Sequence, residues 1–234
     1  MSINSQKFNP PLYSIFYHPF FFIRKEIYRF VKENSNLFSG ELLDFGGGSK
    51  PYQHLFPQIR NYYSIEVESD KEEINADLIY DGKNLPFEDN KFDTIICTEV
   101  FEHIEDLSFT LKELKRVLKP EGKILITTPF MCIEHEMPND YRRLSLNGLI
   151  SLMKKNDFEL KKKKKFLNNI LTITQLINFY LYTLLMNKKR KIINYLLYFL
   201  LMGPINVIGF LINLVLPKID EMYFGTGTIF EKKN

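Results

Sequence analysis

A run of three glycines follows a short apolar stretch and is the sharpest chemical feature of the sequence. Residues 42–45 read Leu-Leu-Asp-Phe, and Gly46, Gly47 and Gly48 come next. Glycine has no Cβ, so this backbone can adopt positive φ and approach a ligand closely. In an α/β sheet such a bend lies at the carboxyl edge, where ligands bind. A plain tight turn is the alternative interpretation.

Carboxylates near the ends of successive predicted strands favour a ligand with ribose hydroxyls. Asp44 precedes the glycines, and Glu66 follows about 20 residues later, a spacing suited to holding a ribose diol. Asp81 closes the third strand-like segment. A single carboxylate at a strand end is more often a cap or a surface group, but three in succession indicate a site.

Two common phosphate-binding patterns are missing from the sequence. Pro51 occupies the last position of a G-x-G-x-x-G pattern that begins at Gly46, and no G-x-x-x-x-G-K-[ST] occurs. The ligand is therefore expected to lack a pyrophosphate. A nicotinamide-dependent oxidoreductase stays as one alternative, and Pro51 argues against it.

Titratable side chains follow the fourth and fifth predicted strands, where a substrate would be handled. We predict His135 as the general base, because histidine has an ordinary pKa of about 6.5. Glu136 and His103 are further catalytic candidates. Tyr141 and Arg142 are candidates for substrate binding, Arg142 because a guanidinium can hold an anionic group. Each candidate also has a structural alternative. His135 would only anchor a lid, His103 would brace the helix that follows, and Arg142 would lie at a solvated helix start.

Strands that alternate with helices or short crossovers must position these groups. The predicted strands are 41–45, 62–66, 76–80, 92–98, 123–128, 158–166 and 222–231, and the predicted helices are 18–34, 107–118 and 144–156. Pro120 and Gly122 are expected to stop the second helix. The pattern predicts a Rossmann-like, doubly wound, mostly parallel seven-stranded α/β sheet, with an apolar helical insertion before the last strand.

We predict four regions along the chain: an N-terminal arm (1–17), a core domain (18–165), an apolar helical hairpin (166–221) and a final strand with a tail (222–234). Residues 166–187 and 192–217 carry no formal charge and are long enough for a bilayer. Three alternatives stay open for 166–217: a hairpin at a membrane interface, a cap or dimer interface within protein, or transmembrane spans. Basic clusters at both ends of the first segment disfavour a single span.

Composition excludes several classes of protein. The 234 residues are 45% hydrophobic and 25% charged, which suits a folded domain with a sizeable core. A net charge of +3 does not call for nucleic acid, and Lys161–Lys165 is expected to be a solvated edge strand. The two cysteines fit free thiols in a reducing compartment, and we predict no metal site. The N-terminus does not resemble a signal peptide, so a cytoplasmic location is expected, peripheral on the inner face of the membrane if the hairpin contacts lipid.

In order and at family spacing, residues 40–165 resemble the class I S-adenosylmethionine-dependent methyltransferases, and within them the type 11 methyltransferase domain. The stretches that carry the resemblance are 43–48 (LDFGGG), 85–93 (LPFEDNKFD), 98–104 (TEVFEHI) and 113–123 (ELKRVLKPEGK). Gly47 stands where many relatives carry Cys, and Lys50 replaces the third glycine of the longer pattern.

The resemblance implies S-adenosylmethionine as cofactor and a role for each matching residue. Asp44, Gly46, Gly47 and Gly48 would shape the pocket for its methionine end. Glu66 would take the ribose hydroxyls and Asp81 would lie near the adenine, while backbone at Cys97 and Thr98 would face the amino group.

We therefore predict methyl transfer to a small-molecule, glycan or lipid-linked acceptor, at oxygen. Relatives with similar loops at 49–52 and 135–141 look like enzymes of surface glycan or lipid metabolism. A fold without turnover, in a membrane-associated module, is the non-enzymatic alternative, and a homodimer is one option for assembly.

Overall fold

Seven strands form one sheet in the computed structural model, which describes residues 7–68, 75–185 and 191–233. The strands are β1 (Gly40–Phe45), β2 (Ile59–Val67), β3 (Leu78–Tyr80), β4 (Phe92–Thr98), β5 (Leu118–Pro129), β6 (Phe158–Phe166) and β7 (Gly225–Lys232). Their order is β3-β2-β1-β4-β5-β7-β6. Neighbours from β3 to β5 pair in parallel. The order is that of a doubly wound sheet with β7 placed between β5 and β6, which confirms the predicted fold class.

The helices follow the apolar periodicity of the sequence. They are α1 (Phe21–Asn34), α2 (Leu107–Val117), α3 (Leu146–Lys155), α4 (Leu171–Leu185), α5 (Lys191–Leu197) and α6 (Gly203–Asn213). In α2, Leu107, Leu111 and Leu114 are buried at helical spacing. The Asp106 carboxylate accepts a hydrogen bond from the backbone N–H of Phe109 at 3.0 Å and caps its start.

The start of β5 corrects the prediction that Pro120 and Gly122 stop α2. β5 begins at Leu118, directly after the helix, and both residues lie inside the strand. Phe92 and Thr94 of β4 pair with Leu118 and Lys123, so extra residues of β5 form an irregularity in the register. Proline has no N–H to donate to a ladder, and an irregularity of this kind accommodates it.

The lysine-rich strand β6 lies at the edge of the sheet, as predicted for Lys161–Lys165. Nζ of Lys161 forms ion pairs with Glu159 at 3.1 Å and with Glu231 at 2.9 Å. Charged side chains on an edge strand deter pairing with another chain.

The chain divides into two compact units. One comprises the described residues up to Arg29 together with 131–133 and 165–225, and the other comprises 30–130, 134–164 and the residues from 226 onward. The second unit holds most of the sheet and all of the predicted site residues. The first unit holds α4, α5 and α6. The four regions predicted from the sequence, with boundaries after residues 17, 165 and 221, stay a prediction.

Polar side chains line the interior of the helical unit. The side chain of Asn178 on α4 donates to that of Asn206 on α6 at 2.7 Å, and both residues are fully buried. Asn206 also donates to the backbone carbonyls of Ile15 and His18 at 2.9 and 3.2 Å. Gln175 donates to the carbonyl of Pro19 at 2.7 Å. These hydrogen bonds tie the N-terminal arm to the helices.

Apolar side chains cover the exposed side of the same unit. Phe199 is 60% exposed, Leu200 55% and Val215 84%. One continuous helical stretch, Ile193–Asn213, is long and apolar enough to cross a membrane by length and composition, and 22% of its most apolar window is buried. Apolar side chains on the outside and polar side chains in the interior are the reverse of the usual arrangement of a soluble domain.

Candidate functional site

The glycine bend leaves β1 at the carboxyl edge of the sheet. The N–H of Gly46 donates to the carbonyl of Ile65 at 2.9 Å, which extends the β1–β2 ladder into the bend. Gly46 and Gly48 have φ of +71° and +47°, a region that disfavours other residues. A Cβ on Gly46 would lie 2.5 Å from Cγ2 of Val100. The bend is therefore packed on one side by the segment that follows β4.

The other side of the bend is less crowded. Among the described residues, and apart from the chain neighbours of Gly48, the only atom within 4 Å of a Cβ built on Gly48 is a carboxylate oxygen of Glu66, at 3.7 Å. Glu66 pairs with Ile79 near the ends of β2 and β3. The Glu66 carboxylate therefore lies directly beside Gly48, at an ordinary contact distance from where a side chain would begin.

Asp44 is a buried carboxylate with one unsatisfied oxygen. It is 1% exposed, and Tyr62 donates its hydroxyl to Oδ2. Oδ1 has no hydrogen-bond partner among the described residues. Burial raises the pKa of Asp44 to about 7, although the hydrogen bond from Tyr62 opposes that rise. Burial also raises the pKa of the Tyr62 hydroxyl, so it stays a donor.

The remaining residues predicted to bind the cofactor lie at the same edge. Asp81 follows β3 and is exposed, with its carboxylate accepting from the N–H of Lys83 at 2.9 Å. Cys97 and Thr98 end β4 and pair with Ile126 and Thr127. Cys97 is a fully buried free thiol, and burial raises its pKa. Sequence reasoning thus brings these residues to one edge, although their individual roles stay predictions.

A second cluster forms where the segments after β4 and β5 meet. The rings of His103 and His135 lie 4.9 Å apart, centroid to centroid, at 86°. Nε2 of His103 is 3.7 Å from Oε1 of Glu102, which is 2% exposed. Burial raises the pKa of Glu102 well above its ordinary value, with the charge of Glu99 as a second cause.

Asp140 and Arg143 brace the loop that carries His135. Asp140 accepts from the backbone N–H of His135 at 2.8 Å and from Nη2 of Arg143 at 2.6 Å. The hydrogen bond from Arg143 lowers the pKa of Asp140 to about 2, so the carboxylate is ionised at neutral pH. Nδ1 of His135 is 3.5 Å from Oδ2 of Asp140.

Arg142 has structural contacts that its predicted role did not include. Its guanidinium donates to the backbone carbonyls of Phe101 at 2.9 Å and Glu105 at 2.7 Å, and also to that of Ile104. These bonds fix the turn that carries Glu102. Its predicted contact with an anionic substrate stays a prediction.

Tyr141 and Glu136 lie on the same loop and are exposed. The Tyr141 side chain is 42% exposed, and its backbone N–H donates to the carbonyl of Glu102 at 2.8 Å. Glu136 has φ +54° and its carbonyl accepts from Asn139 at 3.1 Å. Their substrate and catalytic roles stay predictions.

Sequence reasoning missed Tyr62, and it counted Glu102 among the candidate bases after β4 without selecting it. No local pattern marks an aromatic residue of β2 as the partner of a carboxylate on β1. Glu102 did carry a signal, because it directly precedes His103 in the segment after β4. Its burial, which separates it from ordinary surface glutamates, is visible only in the fold.

Known proteins match the central part of the chain. The sequence profile of the methyltransferase domain family matches residues 43–126. A demethylmenaquinone methyltransferase of Staphylococcus saprophyticus is 38% identical over 79 residues, 33% of this chain and 31% of that protein. A tRNA U34 carboxymethyltransferase of Campylobacter curvus is 32% identical over 97 residues, 36% of this chain and 33% of that protein. The matches thus span about a third of the length of these curated relatives.

The solved structures agree on the fold. The crystal structure of the [4+2]-cyclase SpnF superposes with a TM-score of 0.58 at 15% identity, covering 90% of this chain and 82% of the cyclase. At this identity the likeness concerns the fold alone, and a fold can host more than one chemistry.

Residues 43–126 therefore form a methyltransferase domain of the type 11 kind, the S-adenosylmethionine-dependent domain that the sequence resembled. The predicted family and its cofactor are thereby confirmed. The residues present fit that cofactor: Oδ1 of Asp44 lacks a partner among the described residues, and the carboxylate of Glu66 lies beside Gly48.

Proposed function

We propose that the protein transfers a methyl group from S-adenosylmethionine to an oxygen of a small or lipid-linked acceptor. The observation that carries this proposal is the glycine bend, with an unpartnered oxygen of the buried Asp44 just before it and the carboxylate of Glu66 beside Gly48. A carboxylate such as that of Glu66 can accept hydrogen bonds from both hydroxyls of a ribose. A buried anion such as ionised Asp44 favours a cationic ligand.

The chemistry asks for positioning and for removal of one proton. The acceptor oxygen attacks the methyl carbon, the S–CH₃ bond breaks with its electron pair going to sulfur, and the sulfonium becomes a neutral thioether. The acceptor's hydroxyl proton must leave as the C–O bond forms. We assign the activation of that hydroxyl to the cluster of Glu102, His103 and His135, with His135 as the base.

The match to the methyltransferase domain does not by itself identify the acceptor. One relative is named for demethylmenaquinone and another for a tRNA nucleotide, although both share this domain. The helical unit supports an acceptor presented at a membrane, because polar residues such as Asn178 and Asn206 are buried while Phe199, Leu200 and Val215 are exposed. We propose that this unit rests on a lipid surface, with the chain in the cytoplasm and peripheral to the membrane.

Transfer of a labelled methyl group tests this function. Purified protein, S-adenosylmethionine labelled in its methyl group, and separate lipid, glycan, small-molecule and RNA fractions of a lysate are incubated together. Label in the lipid or glycan fraction supports the proposal, and label in RNA contradicts the choice of acceptor. No label in any fraction, with the cofactor bound, favours the non-enzymatic alternative.

A further inference from the structure

Three potential metal ligands from two separate segments meet in the catalytic cluster. Glu102 and His103 lie on the short helical turn Phe101–His103 after β4, and His135 lies in the segment after β5. One ligand atom from each of the three lies within 4.8 Å of the others. The turn begins directly after Val100, whose side chain packs against Gly46, so the cluster lies at the same edge of the sheet as the glycine bend.

Glu102 has an unsatisfied carboxylate inside this cluster. Its side chain is 2% exposed, and neither carboxylate oxygen has a hydrogen-bond partner in the described part of the chain. A buried carboxylate without partners is costly unless a proton or a cation neutralises it. A candidate ligand atom, Nε2 of His103, lies 3.7 Å from Oε1 of Glu102.

The hydrogen bond at the far side of His103 leaves that nitrogen able to bind a metal. Nδ1 of His103 is 2.6 Å from the backbone carbonyl of Asn139. A carbonyl can only accept, so Nδ1 carries the hydrogen and the lone pair is on Nε2. Metal-bound histidines usually have this outer contact to a carbonyl or a carboxylate. The carboxylate of Asp140 lies in a comparable position beside His135, 3.5 Å from Nδ1.

We propose that Glu102, His103 and His135 bind a divalent transition-metal ion and leave a coordination position open for the acceptor hydroxyl. Two imidazoles with one carboxylate form a donor set of catalytic zinc sites. Bonds of about 2.1 Å in a tetrahedral site place ligand atoms about 3.4 Å apart, close to the 3.7 Å between Glu102 and His103. His135 has to move closer, since the whole set is spread over as much as 4.8 Å.

This inference rests on the proposed function and gives the hydroxyl a different activator. A metal ion lowers the pKa of a bound hydroxyl, so the proton leaves to solvent and the metal-bound oxygen attacks the methyl carbon. The S–CH₃ bond then breaks as described above, and the oxidation state of the metal does not change. His135 would then position the metal rather than take the proton.

Titration with metal ions tests the site independently of turnover. Full-length protein freed of metal with a chelator is titrated with Co²⁺, followed by visible absorption, and with Zn²⁺, followed by calorimetry. One ion is expected to bind per chain. Glu102→Gln and His103→Asn should each weaken binding at least about tenfold, whereas His54→Asn, outside the cluster, should leave it unchanged. Unchanged S-adenosylhomocysteine binding shows that the variants fold.

The open position is tested with 4-nitrocatechol, a chromogenic hydroxyl ligand. Its spectrum should shift with Zn²⁺-loaded wild-type protein and stay unchanged with the metal-free protein or with Glu102→Gln. Failure to bind Co²⁺ and Zn²⁺, or equal binding by wild type and Glu102→Gln, overturns the inference. If S-adenosylhomocysteine still binds in that case, the proposed function stands with His135 as the base. If metal binds but S-adenosylhomocysteine does not, the metal site stands and the proposed function fails.

Discussion

Two carboxylates at the glycine bend have different environments and therefore different tasks. Asp44 is 1% exposed, with a raised pKa, whereas Glu66 is partly exposed and lies beside Gly48. A buried group responds to the charge of a ligand, while an accessible one can accept hydrogen bonds from it. We therefore expect Asp44 to sense the positive charge of S-adenosylmethionine and Glu66 to hold its ribose.

The affinity for S-adenosylmethionine should depend on pH through Asp44. Burial raises the pKa of Asp44 to about 7, and a cationic ligand favours its ionised form. Below pH 7 binding must expel a proton, so affinity should fall as pH falls, by up to about tenfold per pH unit, and should level off above pH 7. Calorimetry between pH 5.5 and 8.5 measures this dependence.

Two variants separate Asp44 from other titrating groups in that experiment. Asp44→Asn should weaken binding at pH 8 and flatten the profile. Tyr62→Phe removes a hydrogen bond that lowers the pKa of Asp44, so the midpoint should move to higher pH. A profile that Asp44→Asn leaves unchanged would assign the pH dependence to the ligand or to another residue.

At the scale of single elements, the bend at β1 depends on how closely the segment after β4 approaches it. A Cβ on Gly46 would overlap Val100, and its φ is positive. Gly82 also has positive φ, but a Cβ there would lie 3.6 Å from Val67, an ordinary contact. Both glycines share the strain of positive φ, and only Gly46 has the steric overlap with Val100. Comparing substitutions at the two positions therefore separates these two costs.

Gly46→Ala should destabilise the fold more than Gly82→Ala. We expect a loss of about 3 kcal/mol or more in unfolding free energy for Gly46→Ala, against about 1 kcal/mol for Gly82→Ala. Val100→Ala in the Gly46→Ala background should recover the steric part only. Urea denaturation measures all three variants, and equal losses at the two glycines would show that Val100 does not limit the bend.

The elements that the sequence predicted well are those whose signal is local. The glycine bend follows from Leu42–Gly48 alone, and the burial of β4 follows from its apolar run. The start of β5 was missed because Pro120 and Gly122 have the composition of a stop signal, and only pairing with β4 shows that a register irregularity holds them. The contact of His103 with His135 joins residues 32 positions apart, and no periodicity encodes it.

At the scale of the whole molecule, the helical unit presents a surface that water does not favour. Asn178 donates a hydrogen bond to Asn206 inside it, and apolar side chains such as Val215 are exposed. The sequence indicated the lack of charge in this region. It could not indicate which way each polar side chain points, because that depends on the contacts of α4 and α6 with the N-terminal arm.

Lipid vesicles test whether this surface binds a membrane. Wild-type protein should sediment with vesicles that contain phosphatidylglycerol. Phe199→Glu combined with Leu200→Glu should reduce the bound fraction more than about tenfold, since each buried apolar side chain contributes about 1.5–3 kcal/mol. Met137→Glu changes a 62% exposed residue of the other unit and should have no effect. Equal sedimentation of all three proteins would assign the surface to another role.

Calorimetric titration with S-adenosylhomocysteine is the most direct test of the site beside the glycine bend. The wild-type chain should bind one equivalent and should show no heat with NAD⁺. Glu66→Gln should weaken binding about 10- to 100-fold, as expected for lost hydrogen bonds to a charged group. Glu41→Gln, at the opposite end of the sheet, should bind like wild type. Binding of NAD⁺ instead, or an affinity for S-adenosylhomocysteine that is the same with and without the Glu66 carboxylate, would contradict the assignment.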